Sequence, residues 1–371
     1  MRFIRMEQLK PGMRLARPIY SNKGVLLYDR AAVIKDAQSI QNIKSFGLIG
    51  LFVLEPAEPV PPMTEQDIEF ERFQTVMSFE IKDELETILK THKTKKIQNI
   101  VADIIRSYGN CKGKIDFQQS LRSMEDYIFK HSLNTAILCA LITHSINCTL
   151  AEQQDAVTAA VVHDLGKLNV SPEVLYNQKH TQEEQQMISN AEKDAYSILD
   201  DAFMSRPNIR RICVQSEKML SDERHGQEQT GQKMSLAARI LMTAGVFDRD
   251  TAVRLDEPPM SEISVIRRML QKSSVYDEKV VRGIVNSLSM LFPGVSVELN
   301  TGEKALVIAE TMDPFRPIIL SFSDNSVINM LDSRAYADIE IVDIMKTMDN
   351  RYVIDTDTLK RFGFPPEKNT Q

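Results

Sequence analysis

The chain has 371 residues, 43% hydrophobic and 26% charged, with 45 Lys and Arg against 51 Asp and Glu and a formal net charge of −6. That is enough apolar content for two or three packed domains, while the acidic balance argues against a nucleic-acid polymer or an anionic membrane as partner, since both are bound through a basic face. The four cysteines, Cys111, Cys139, Cys148 and Cys213, form no Cys-x-x-Cys pair, so neither a disulfide framework nor a zinc cluster is indicated; no apolar signal core follows Met1, and the expected compartment is a reducing cytoplasm.

Residues 1–55 read as a small α+β module. Ile19 and Tyr20 precede Ser21-Asn22-Lys23-Gly24, a hairpin signal, and Val25-Leu26-Leu27 continues as a strand. Apolar spacing predicts a helix over 31–46, ended by Gly47, and a short strand over 51–54. Residues 56–64 hold Pro56, Pro59, Pro61 and Pro62, a composition suited to a semi-rigid linker. Residues 65–115 form a helical connector, predicted as two helices broken near 91–94. The first carries a stripe of Ile68, Phe73, Val76, Met77, Ile81, Leu85, Ile88 and Leu89, which suits core packing or, alternatively, a dimer contact.

The main helical domain is placed at 116–292. A helix is predicted over 118–145, with His131, Asn134, Thr135, Leu138 and Ile142 on one face; a histidine there serves either as a core side chain or as a ligand. Residues 132–151 lack formal charge but are too rich in Asn, Thr and Ser to span a membrane, so no membrane insertion is expected. Ala156, Ala159 and Ala160 lie on the face of the next helix that leads to Val161-Val162-His163-Asp164-Leu165-Gly166-Lys167, and their small side chains allow another helix to approach closely. The adjacent imidazole and carboxylate of His163 and Asp164 can both ligate a metal; as a bare dipeptide they could equally be a polar pair or a cap. Gly166 is expected to stop the helix, leaving Lys167 as a cation at the mouth of the site.

Thr181 with Glu184 predicts a capping box at a helix start. Arg206, Arg210 and Arg211 form a solvated face or a phosphate-binding patch. Residues 221–233 read as an exposed loop, and 235–247, 262–272 and 277–291 as helices. From 293 to 371 the pattern changes to a β-rich extension, with strands over 295–299, 305–309 and 317–322, a turn at Asn300-Thr301-Gly302, and apolar runs at 339–344 and 352–354. The expected fold class is mainly α, a helical bundle flanked by a small α+β N-terminal module and a small β-rich C-terminal appendage.

Several of these stretches together resemble the HD-GYP group of the HD metal-dependent phosphohydrolases, whose members hydrolyse cyclic di-GMP. Asp126-Tyr127 with His131-Ser132-Leu133-Asn134 is similar to the group's first ligand helix, and His163-Asp164-Leu165-Gly166-Lys167 to its central motif. Ser171-Pro172-Glu173, Thr181-Gln182-Glu183-Glu184 and Ala237-Ala238-Arg239-Ile240-Leu241 follow in the group's order. The likeness covers about residues 116–320. The resemblance implies an HD-domain bundle with His131, His163 and Asp164 as metal ligands and Lys167 facing a phosphate, and Mn, Fe or Mg as the ion. The departures are as specific. The group's later ligand positions hold Ala191, Gln215, Ser216 and Gly245, with Asp248 matching a different aspartate of the family. Its Gly-Tyr-Pro signature is replaced by Glu223-Arg224-His225-Gly226-Gln227. Glu192, Glu217 or His225 are the substitutes on offer.

Two functions from different classes follow. The expected one is a degenerate, catalytically inactive member that acts as a regulatory, nucleotide-sensing or scaffolding component in cyclic di-GMP-type signalling, with no metal at full occupancy; a cyclic dinucleotide, a protein partner or a second copy of the chain are the candidate partners. The alternative is a metal-dependent phosphodiesterase.

Overall fold

A computed structural model of the chain describes residues 2–21, 25–54, 65–117, 119–177, 179–224, 234–253 and 259–345. The proline linker, the tip of the first hairpin, His225 with most of the loop over 221–233, and the apolar run at 352–354 lie outside these residues.

The N-terminal module is a three-stranded antiparallel sheet of β1 (Arg2–Arg5) and β2 (Arg14–Leu15), with β5 (Gly50–Leu54) between them. Every residue of β5 is buried, as its unbroken apolar run requires of a central strand covered on both faces. β3 (Ile19–Tyr20) pairs with β4 (Leu26–Tyr28), the hairpin read from the sequence. The helix predicted over 31–46 is shorter: α1 spans Ala37–Lys44. After a turn at Ala31 (φ +62°), residues 32–34 pair their backbone with the strand region before them, Leu15 N donating to Ala32 O (3.0 Å) and Gly12 N to Ile34 O (2.8 Å). Asp36 then caps α1 by accepting from the Ser39 amide (2.8 Å).

The predicted connector is α2 (Glu65–Thr91) and α3 (Ile97–Tyr108). Glu84 of α2, almost fully buried, accepts from the amides of Lys95, Lys96 and Ile97 at 2.7–3.1 Å. It thereby satisfies the donors that the start of α3 would otherwise leave unpaired, which is why the break falls where it does. Of the apolar stripe on α2, Met77, Ile81, Leu85 and Ile88 enter the main core, while Ile68 and Val76 stay exposed.

The helix predicted over 118–145 begins only at Tyr127: α4 spans Tyr127–Ser145. Residues 119–123 run extended against the N-terminal module, with Ile49 N donating to Arg122 O (3.0 Å) and Leu48 bridged to Ser123. Ser123 and Asp126 close the turn reciprocally: the Ser123 amide donates to the Asp126 carboxylate (2.7 Å) and the Asp126 amide to the Ser123 hydroxyl (3.2 Å). α4 is the hub of the bundle, its residues from His131 to Thr143 all buried. Around it pack α5 (Leu150–Val162), whose Ala156, Ala159 and Ala160 have no exposure, and α2, α3, α9 (Leu236–Thr251) and α11 (Glu278–Ser287). The short α6 (Pro172–Leu175) leads to α7 (Gln182–Ala202), which carries the predicted capping box of Thr181 and Glu184, then to α8 (Asn208–Arg224) and, after α9, α10 (Glu262–Gln271).

A five-stranded antiparallel sheet follows in the order β10 (Ile341–Met345), β6 (Ser296–Leu299), β7 (Lys304–Ala309), β8 (Ile318–Ser321), β9 (Val327–Asn329). Gly302, at φ +80°, makes the β6–β7 turn that a side chain would strain. One face of the sheet (Val297, Leu299, Ala305, Val307, Ile319, Ile341) joins the helical core, and Ser264 of α10 ties to the β10 backbone at Val342 O (3.0 Å). The chain is thus mainly α with small sheets at both ends. All four cysteines are free, and no helix of the described residues is long and apolar enough to cross a membrane.

Candidate metal centre

α4 and the end of α5 bring His131, His163 and Asp164 together. Each offers one ligand atom, and those atoms lie within 4.8 Å of one another. His131 Nε2 is 3.9 Å from Asp164 Oδ2, and His163 Nε2 is 3.4 Å from Asp164 Oδ1. Both imidazoles are oriented by their other nitrogen. His163 Nδ1 donates to the Ala160 carbonyl (2.8 Å), and His131 Nδ1 to Asp248 Oδ2 (2.6 Å). That fixes the tautomer in which each Nε2 lone pair faces Asp164, the arrangement of a carboxylate- or carbonyl-backed histidine ligand.

Lys167 completes the group, its ammonium 2.6 Å from Asp164 Oδ1. Burial opposes charge on Asp164, but His163, Lys167 and His131 outweigh it and hold the carboxyl well below the usual range. Burial also works against the Lys167 charge; Asp164, Glu217 and Glu192 outweigh it and hold the amine above the ordinary lysine value. Burial, with the charges of His131 and Lys167, pushes His163 down to about 4 against the pull of Asp164. At neutral pH His163 is therefore a neutral imidazole and Asp164 a carboxylate, the protonation states that metal binding needs of them.

The backbone reason for this grouping differs from the sequence expectation at Gly166. α5 ends at Val162, before it; Gly166 lies inside a 3-10 turn spanning Leu165–Asn169. The residue is small because α7 crosses on top of it. A Cβ on Gly166 would sit 2.6 Å from the Ala191 carbonyl oxygen and 2.8 Å from Glu192 Cα. Gly166→Ala is expected to destabilise the chain by about 1–3 kcal/mol, the usual cost of overpacking. Gly113→Ala, where a Cβ meets nothing within 4 Å, is the control; urea midpoints compare the two.

That crossing also brings Glu192 beside Lys167. Burial and neighbouring Glu217 push the Glu192 carboxyl up to about 7. Neither glutamate joins the ligand cluster among the described residues, where only His131, His163 and Asp164 meet. The other later family positions are taken up otherwise. Gln215 Oε1 accepts from the amide and hydroxyl of Ser235 (3.1 and 2.7 Å), fixing the residue that caps α9. Ser216 is buried and Gly245 has no side chain. The three arginines are not a free patch: Arg206 pairs with Asp155 (2.5 Å), Arg210 with Asp200 (3.1 Å) and Arg211 with Asn208 (2.9 Å).

What sequence reasoning missed lies behind His131. Asp248 is wholly buried and faces Arg122, also wholly buried, at 2.6 and 2.7 Å. Asn134 Nδ2 and Gln119 Nε2 donate to Asp248 Oδ1 (2.9 and 3.0 Å), Gln119 Nε2 also to Thr251 Oγ1 (2.9 Å), and Gln74 Nε2 to Asn134 Oδ1 (2.9 Å). Burial opposes the Asp248 charge; Arg122 and His131 outweigh it and hold the carboxyl well below its ordinary range. Arg122 and Gln119 sat in a stretch read as helix, so their shared aim was invisible. The available signals were an aspartate inside the apolar run of α9 and the match of Asp248 to an aspartate of the family that the chain resembles.

The region that carries this cluster is similar to known proteins. A family model described as an HD domain matches residues 117–280. The chain is 21% identical over 192 residues to the cyclic di-GMP phosphodiesterase PA4108 of Pseudomonas aeruginosa, covering 51% of this chain and 46% of that protein. It is 22% identical over 188 residues to the cyclic di-GMP phosphodiesterase PdeB of Borreliella burgdorferi, covering 49% and 48%. The chain thus spans about half the length of the curated relatives it matches. Among solved structures it aligns with Bd1817, an HDG"Y"P protein from Bdellovibrio bacteriovorus, at 10% identity and a TM-score of 0.43, over 76% of this chain and 97% of that one.

Proposed function

Residues 117–280 are an HD domain of the HD-GYP group, and from that premise we propose that this chain is a degenerate member: a regulatory, nucleotide-sensing or scaffolding component of cyclic di-GMP-type signalling that does not turn the nucleotide over. The observation that carries this reading is the content of the ligand cluster. Among the described residues it holds His131, His163 and Asp164, which suit one ion with water completing its shell. A pair of ions about 3.5–4 Å apart needs further anchors, and positions 191, 215, 216 and 245 carry none. If an ion is held, Mn or Fe suit the mixed imidazole and carboxylate donors better than Mg, which prefers oxygen ligands, and it would supply Lewis-acid polarisation of a phosphoryl oxygen. The chain's own contribution is to orient both imidazoles and to hold Lys167 on Asp164.

A second observation favours the scaffolding form of this reading over nucleotide sensing. Among the described residues, the open hollow beside Ala191, about 640 Å³, is lined by Glu183 and Asp194 and by no lysine or arginine, a poor seat for a dianionic dinucleotide.

The alternative, a metal-dependent phosphodiesterase, has one observation in its favour. Glu192, pushed to about 7 beside Lys167, is poised as a general base would be. Calorimetric titration of cyclic di-GMP into the chain, with and without Mn²⁺, followed by chromatography of the cell contents, separates the two. The proposal expects intact cyclic dinucleotide from both titrations; linear dinucleotide from the Mn²⁺ sample establishes the phosphodiesterase instead.

A further inference from the structure

A second cavity, about 360 Å³, lies where the N-terminal module meets α2 and the start of α4. It is remote in sequence from the HD motif, yet two of its walls belong to the network behind His131. Gln74 lines it and also holds Asn134 (2.9 Å), which donates to Asp248. Arg17 lines it and donates a guanidinium N–H to the backbone carbonyl of Gln119, the residue whose side chain reaches Asp248.

Its chemistry is mixed in a specific way. Arg17 Nε and Ser120 Oγ are buried without a hydrogen-bond partner, although buried polar atoms are nearly always paired. Phe79 and Phe129 supply aromatic surface, and Lys82 holds its ammonium 5.6 Å over the Phe129 ring. Three carboxylates lie on the wall: Glu71, whose charge already acts on Arg17, Asp126, paired with Lys130 (2.6 Å), and Glu125, which is exposed. Burial weighs more on Arg17 than Glu71 and Asp116 return, and its guanidinium sits below the ordinary arginine value. A volume of this size takes a small organic molecule. Two orphan polar atoms beside aromatic rings call for an acceptor group carried on a flat apolar body.

We propose that this cavity binds a small aromatic carboxylate, its carboxylate on Arg17 and Ser120 and its ring against Phe79 and Phe129, and that Gln74 and Gln119 relay its occupancy to His131. The carboxylate seat itself uses no atom of His131 and does not require a metal there.

The chain contains no tryptophan, so Phe79→Trp installs a single fluorophore in the cavity wall. Titration of that variant with 4-nitrobenzoate, a carboxylate that quenches indole, is expected to give saturable quenching, with neutral 4-nitrobenzamide at least 10-fold weaker. Ser120→Ala in the same background, which removes an unpaired hydroxyl and is expected to leave folding intact, weakens the carboxylate 3-fold or more; Arg17→Gln weakens it 10-fold or more, about 1.4 kcal/mol. In the wild-type chain, with only six histidines, the Cε1–H resonance of His131, assigned with a His131→Asn variant, is expected to shift on saturation while that of His144, exposed at the far end of α4, stays put. Linear quenching equal for carboxylate and carboxamide overturns the site. Saturable quenching with an unmoved His131 resonance overturns the relay.

Discussion

Arg122→Met is expected to destabilise the chain by about 3–5 kcal/mol, read as a fall in the urea midpoint at neutral pH. Arg122 and Asp248 have no exposure and meet at 2.6 Å. Removing one partner of a buried pair leaves the other as an uncompensated buried charge. The loss spreads, because Asp248 also receives His131, Asn134 and Gln119. Asp248→Asn in the Arg122→Met background removes the stranded charge and is expected to recover part of the stability, which separates the ion pair from simple loss of volume. A loss below about 1 kcal/mol for Arg122→Met, the range of a solvated pair, would contradict the buried network.

Restoring the missing ligands is expected to change the chemistry more than any single removal. In the quadruple variant Ala191→His, Gln215→His, Ser216→His, Gly245→Asp, the HD cluster regains the donor types that the resemblance implies. Space permits it at Gly245, where an added Cβ would come no nearer than 3.9 Å, to Thr135 Cγ2. Position 191 already crosses Gly166 over the central motif. Gln215→His releases Ser235 from its two hydrogen bonds, a loss of about 0.5–1.5 kcal/mol each, below typical domain stability of about 5–15 kcal/mol. The expected result is a second equivalent of Mn²⁺ by elemental analysis and a gain in cyclic di-GMP turnover of about 100-fold or more over the parent chain, since even secondary losses around a metal change activity 10–100-fold. A variant that folds and binds no additional Mn²⁺ would mean that the substituted positions are not what limits the centre.

The legible parts of this molecule were those where local chemistry decides. The capping box at Thr181, the hairpin around Ser21, the break between α2 and α3 and the juxtaposition of His131 with His163, Asp164 and Lys167 all follow from spacing or motif. What was not legible depends on partners distant in the chain. Residues 31–34 had helical spacing but form a turn and a paired segment, held by backbone bonds with 12–15. Residues 119–123 lost a predicted helix to contacts with 48–49. Gly166 read as a helix stop because its real constraint, the backbone of α7, lies 25 residues further on at Ala191. The Arg122–Asp248 pair joins residues 126 apart, and no local pattern announces it.

As proposed, the centre of His131, His163 and Asp164 holds at most one ion, fewer than the resemblance to the HD-GYP group implies. Equilibrium dialysis of the wild-type chain against Mn²⁺, with electron paramagnetic resonance of the bound fraction, tests it directly. The account predicts no more than one Mn²⁺ per chain, with the spectrum of an isolated ion, abolished in His163→Gln. Two Mn²⁺ per chain with an exchange-coupled spectrum would contradict it.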